Sequence, residues 1–79
     1  MSALRDTAAA ARVRVSTRAD GTVDVYDHAG AKSVGRLHRN PSGAWRGIDD
    51  LTGEATPACA KDADALVALL ELHGKAVAS

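Results

Sequence analysis

Arg12-Val13-Arg14-Val15-Ser16-Thr17-Arg18, then Ala19-Asp20-Gly21, then Thr22-Val23-Asp24-Val25-Tyr26-Asp27: this stretch decides the fold. Val13, Val15 and Thr17 alternate with Arg12, Arg14, Ser16 and Arg18, and this period of two predicts a half-buried strand over residues 12–18. Residues 22–27 alternate again around Val23 and Val25. A three-residue loop with Gly21 in the left-handed conformation joins the two as a hairpin. The faces choose the register. Pairing Arg18 with Thr22 sets Thr17 against Val23, Val15 against Val25, Ser16 against Asp24 and Arg14 against Tyr26. A two-residue loop would slip the pairing by one and put Arg18 against Val23, mixing the faces.

Outward from the hairpin, residues 28–31 contain Gly30 and predict a turn, and residues 32–39 predict a third strand. Val34 and Leu37 cannot share a face in a regular strand, and Gly35 between them marks a bulge. Asn40-Pro41-Ser42-Gly43 is a turn, followed by a short fourth strand over 44–49 carrying Trp45 and Ile48, then a turn over 50–53. Thr56-Pro57 reads as the cap and first residue of a helix, with Asp62 as the alternative start. Cys59, Ala63, Leu66, Leu70, His73 and Val77 fall on one helical face flanked by Leu69 and, less centrally, Val67, and Gly74 is the expected stop. The expected fold is therefore α+β: an antiparallel β-meander of three to four strands packed against one C-terminal amphipathic α-helix, with the other sheet face solvated. Residues 1–11 read as an Ala-rich N-terminal tail or short helix, and residues 12–79 as a single small domain.

Composition narrows the function classes. Of 79 residues 46% are apolar, but 17 are Ala, 15 are Leu, Ile or Val, and none is Phe, so the core is thin and leaves little room for a deep cofactor pocket. No cofactor and no metal are expected. The single cysteine makes neither an internal disulfide nor a Cys-based zinc site, which points to a reducing cytoplasm. Residues 1–12 lack the basic start and Leu-rich block of a secretory signal, and no apolar run is long enough to span a membrane. The abundance of Ala, Arg, Gly, Val and Asp resembles the coding bias of GC-rich bacteria and their phages.

A net charge of zero hides a polarity. Residues 1–46 carry eight basic against four acidic side chains, and residues 47–79 two against six. Arg12, Arg14 and Arg18 share the hairpin face turned away from the helix, with Tyr26 among them, and Arg36 and Arg46 join that face if the later strands continue the sheet. Guanidinium groups suit phosphate and base edges, and Tyr26 or Trp45 supplies a stacking ring. The plainer alternatives are a solvated face with cross-strand ion pairs, and Trp45 as the largest piece of the core. Cys59 in the first turn of the helix would be activated by the helix dipole, against an inert buried thiol. Asp49, Asp50 and Glu54 crowd one turn without calcium-loop spacing. No catalytic motif is present, and no enzyme activity or small-molecule substrate is expected.

Gly35-Arg36-Leu37, Ser42-Gly43-Ala44-Trp45-Arg46 and Gly53, followed by Asp62-Ala63-Asp64-Ala65-Leu66, resemble the integrase arm-binding domains, which share a fold with the plant ethylene-response-factor domains. The resemblance covers about half the chain. It implies three antiparallel strands and a C-terminal helix, with the strands in the DNA major groove. The strand after Gly53, basic in that family, reads Glu54-Ala55-Thr56-Pro57 here. The function expected is a non-enzymatic module binding DNA through its basic sheet face, with Arg12, Arg14, Arg18, Tyr26, Arg36, Trp45 and Arg46 as contacts. The alternative is a protein-interaction or accessory module, homodimeric or phage-encoded, that docks through a strand edge or the N-terminal segment.

Overall fold

A computed structural model of the chain describes residues 3–28 and 32–78. The elements run α1 (Ala3–Ala10), β1 (Arg14–Thr17), β2 (Val23–Tyr26), β3 (Ser33–Arg39), β4 (Trp45–Asp49) and α2 (Asp62–Ala78). The strands form one antiparallel sheet in the order β1-β2-β3-β4, so the fold is a four-stranded meander with a C-terminal helix. The turn expected at 28–31 lies, for residues 29–31, outside the described residues.

The hairpin has the register set by its faces: Arg14 pairs with Tyr26, Val15 with Val25, Ser16 with Asp24 and Thr17 with Val23. Gly21 sits at φ +92° in the connecting turn, where a side chain would be strained. Arg12 falls outside the strand. It takes φ +58° in the turn after α1, and β1 begins at Arg14.

The irregularity in the third strand is also real. Val25 pairs with Gly35 while Tyr26 pairs with Ser33, so Val34 is an extra residue in β3. That one-residue slip resets the phase and lets Val34 and Leu37 both reach the core. Leu4, Ala8, Val23, Val25, Val34, Leu37, Ala65, Leu66 and Leu69 make a single core on one side of the sheet. Within the segment expected as a tail or short helix, residues 3–10 form α1. α1 places Leu4 and Ala8, one helical turn apart, in that core beside α2.

Three expectations about the helix need correction. It starts at Asp62, the alternative, and Thr56-Pro57 lies outside it. The Thr56 hydroxyl is occupied elsewhere: Oγ1 accepts the Gly47 N–H at 3.0 Å and donates to the Pro57 carbonyl at 3.0 Å, while Thr56 N donates to Gly47 O at 2.8 Å. With Trp45 and Cys59 exchanging two backbone bonds and Asp49 N bonded to Glu54 O, residues 54–59 run along the outer edge of β4. Nor does Gly74 stop the helix, which continues to Ala78. The buried face centres on Ala65, Leu66 and Leu69 rather than on Leu66 and Leu70, and Val77 is exposed. Leu69 seats against Gly35 and Gly47, which centres the buried face there, and Val67 is exposed as well.

α2 lies close against β3 and β4 because two glycines admit it. A Cβ on Gly47 would stand 2.7 Å from Leu69 Cβ, and one on Gly35 would stand 3.1 Å from Leu69 Cδ1 and clash with the Ile48 carbonyl oxygen.

Candidate functional site

With the core on one side, the opposite face of the sheet is open to solvent. Strand pairing fixes what it carries. Ser16, Asp24, Arg36 and Ile48 lie side by side across all four strands. Arg14 stands beside Tyr26 on one flank of this row, and His38 beside Arg46 on the other. Arg14, Arg18, Tyr26, Arg36 and Arg46 therefore share one face, as the hairpin alternation predicts. Among the described residues, Arg14, Arg36 and Arg46 make no side-chain hydrogen bond or ion pair.

Arg18 is engaged. Its Nε and Nη2 donate to the two oxygens of Asp24 at 2.7 and 2.8 Å, a bidentate pair on the open face. Hydrogen bonding to Asp24 raises the Arg18 pKa above its ordinary value. The pair is neutral as a unit, which leaves three guanidinium groups unpaired on the face; the exposed Asp50 carboxylate accepts from the hydroxyl of Ser33, the pairing partner of Tyr26.

Two expected contacts lie elsewhere. Arg12 is in the turn preceding β1 and is exposed there. Trp45 pairs with Arg39 and belongs to the core side, packed against the core cluster and bonded through its backbone to Cys59. Ile48, adjacent to Arg36, takes the open face instead. Cys59 precedes α2, so no helix dipole acts on it as a first-turn residue, and its Sγ lies 3.5 Å from the Pro57 carbonyl.

An Asp–His pair escaped the sequence reading. Asp49 is fully buried, and its Oδ1 is 2.8 Å from His73 Nδ1, while Oδ2 accepts both the N–H (3.0 Å) and the hydroxyl (2.9 Å) of Thr52. Burial alone pushes the Asp49 carboxyl up; the bonds from His73 and Thr52 outweigh it and hold the pKa below the ordinary value. The signal available was His73 on an apolar helical face, which needs a buried partner. The pair ties the end of β4 to α2. Among the described residues no group of three or more His, Cys, Asp or Glu is placed to hold a metal, and no helix is long and apolar enough to cross a membrane. Comparison with protein-family models, with curated proteins and with solved structures returns no match.

Proposed function

We propose that the chain is a non-enzymatic nucleic-acid-binding module, acting on DNA through the open face of its sheet. The observation that carries this is the set of three unpaired guanidinium groups, Arg14, Arg36 and Arg46, on one uncovered face with Tyr26 and His38 between them. The mode of contact differs from the groove insertion that the integrase-arm resemblance implies. Strands spaced about 4.8 Å apart put β1 roughly 14 Å from β4, wider than the ~12 Å major groove. Laid flat, the face meets phosphates. Anisotropy with labelled random DNA, at low and near-physiological salt, tests this. Binding that weakens steeply with salt, and falls at least about tenfold in Arg14→Glu/Arg36→Glu, is expected. Unchanged affinity in that variant overturns it.

A second reading has its own observation. The β4 edge is covered by residues 54–59, while among the described residues β1 pairs only with β2. The bond from Arg18 N to Thr22 O turns the backbone groups of Val15 and Thr17 outward, an open edge for another strand. Light scattering that shows a dimer would favour this reading; a monomer would remove its homodimeric form.

A further inference from the structure

At the end of the sheet where the 18–22 and 39–45 turns meet lies a cleft of about 600 Å³, open to solvent and lined by no helix residue. Trp45 is its aromatic surface. Arg39, the pairing partner of Trp45, lines it too, together with His38, Asn40, Thr17 and Asp20. We infer that this cleft takes an unpaired nucleotide of single-stranded nucleic acid, the base stacked on Trp45 and its phosphate held by Arg39. The inference rests on the nucleic-acid function proposed above and deepens it.

The donors and acceptors fit a base with an attached anion. The indole N–H of Trp45 and the guanidinium of Arg39 have no partner among the described residues, and no partnerless side-chain nitrogen is buried, so the indole N–H reaches solvent. The Arg39 guanidinium stands beside the 40–43 turn, where a Cβ on Gly43 would meet its Nη2 at 3.6 Å. Asn40 Oδ1 is taken by Ser42 Oγ (2.6 Å) and Ala44 N (3.1 Å), which leaves its amide N–H groups to donate. Asp20 Oδ1 accepts the Thr22 N–H at 2.9 Å, and its second oxygen is an acceptor. Donors with one carboxylate acceptor match the mixed edge of a nucleobase better than a bare phosphate, which the carboxylate would repel. A flat ring facing Trp45 gains stacking that any base supplies. His38 stands beside Arg46 on the open face, so a strand crossing that face passes Arg46 at the end of the sheet where the cleft opens.

The intact chain is titrated with a single-stranded octanucleotide and with a blunt-ended DNA hairpin, following anisotropy and indole emission. Trp45 is the sole tryptophan, so the emission reports this cleft alone. Expected are quenching by the octanucleotide that tracks its anisotropy, roughly tenfold preference for it over the blunt hairpin, and selective loss of that preference in Arg39→Ala. Arg39 is exposed, so its removal spares the core; Trp45→Phe, with a weaker stack and the packing retained, is the second variant. Octanucleotide bound with unquenched emission, or Arg39→Ala weakening both DNAs equally, overturns the cleft and leaves the open face standing. Quenching retained in Arg14→Glu/Arg36→Glu at unchanged affinity overturns the face and leaves the cleft. Binding to neither DNA overturns both.

Discussion

Asp49 shows how one side chain sets the chemistry of its neighbours. A carboxylate only accepts, so the bond at 2.8 Å requires a proton on His73 Nδ1. Asp49→Ala would leave His73 and Thr52 facing an empty site, at a cost of about 3 kcal/mol, read from a urea midpoint. The pH dependence has a definite sign. Because the folded pKa of Asp49 lies below the ordinary value, its contribution is complete above about pH 4 and is lost as pH falls through the folded value. Between pH 5 and pH 3 the wild-type urea midpoint should therefore drop more steeply than that of Asp49→Asn; parallel profiles would refute the assignment. Gly47 is the second telling residue. An added Cβ at 2.7 Å from Leu69 Cβ must displace α2, so Gly47→Ala is expected to cost about 1–3 kcal/mol despite removing nothing. Wild-type stability in that variant would show that the helix has room to move. The Gly47 effect is not legible in sequence, and of the Asp49 pair only His73 on an apolar face is, since both depend on a helix docking across a strand far away in the chain.

Elements were legible where the local pattern had one solution. The 12–27 hairpin is such a case: two alternating runs and a glycine turn allow a single register that keeps Val15, Val23 and Val25 on one side. The bulge was legible as well, because Val34 and Leu37 could not both be buried without it. The start of α2 was not, because Thr56-Pro57 and Asp62 are both good beginnings. What separates them is Gly47, whose N–H claims the Thr56 hydroxyl. Asp62 and Asp64 then supply the acidic first turn, with Asp62 Oδ1 accepting the Ala63 N–H at 2.8 Å. α1 lies at the opposite limit: eight residues are too few for a helix to stand alone, and it holds because Leu4 docks. Leu4→Ala should lower global stability by about 2–4 kcal/mol in denaturant unfolding. Loss of α1 helicity with an unchanged midpoint would show instead that this helix is an appendage.

At the scale of the whole molecule the zero net charge separates into two layers. The open sheet face carries Arg14, Arg36 and Arg46, while α2 behind the sheet carries Asp62, Asp64 and Glu71 against Lys75. A polyanion approaching the sheet meets the positive layer first, with the acidic helix turned away, so orientation does not require net positive charge. Three unpaired guanidinium groups set the scale of the salt effect. If each meets one phosphate, log K against log salt falls with a slope of about −2 to −3 on duplex DNA, and Arg36→Ala makes it shallower by about one. Arg18 should behave differently, because its charge is already matched by Asp24 at 2.7 Å. Arg18→Ala leaves an unpaired carboxylate on the binding face, and affinity falls through repulsion. Arg18→Ala/Asp24→Ala removes both charges and should return the affinity and the salt slope close to wild type. Measuring the four salt slopes side by side separates phosphate contact from general basicity. A double variant as weak as Arg18→Ala alone would mean that Arg18 itself touches the nucleic acid and that Asp24 serves to hold it in place.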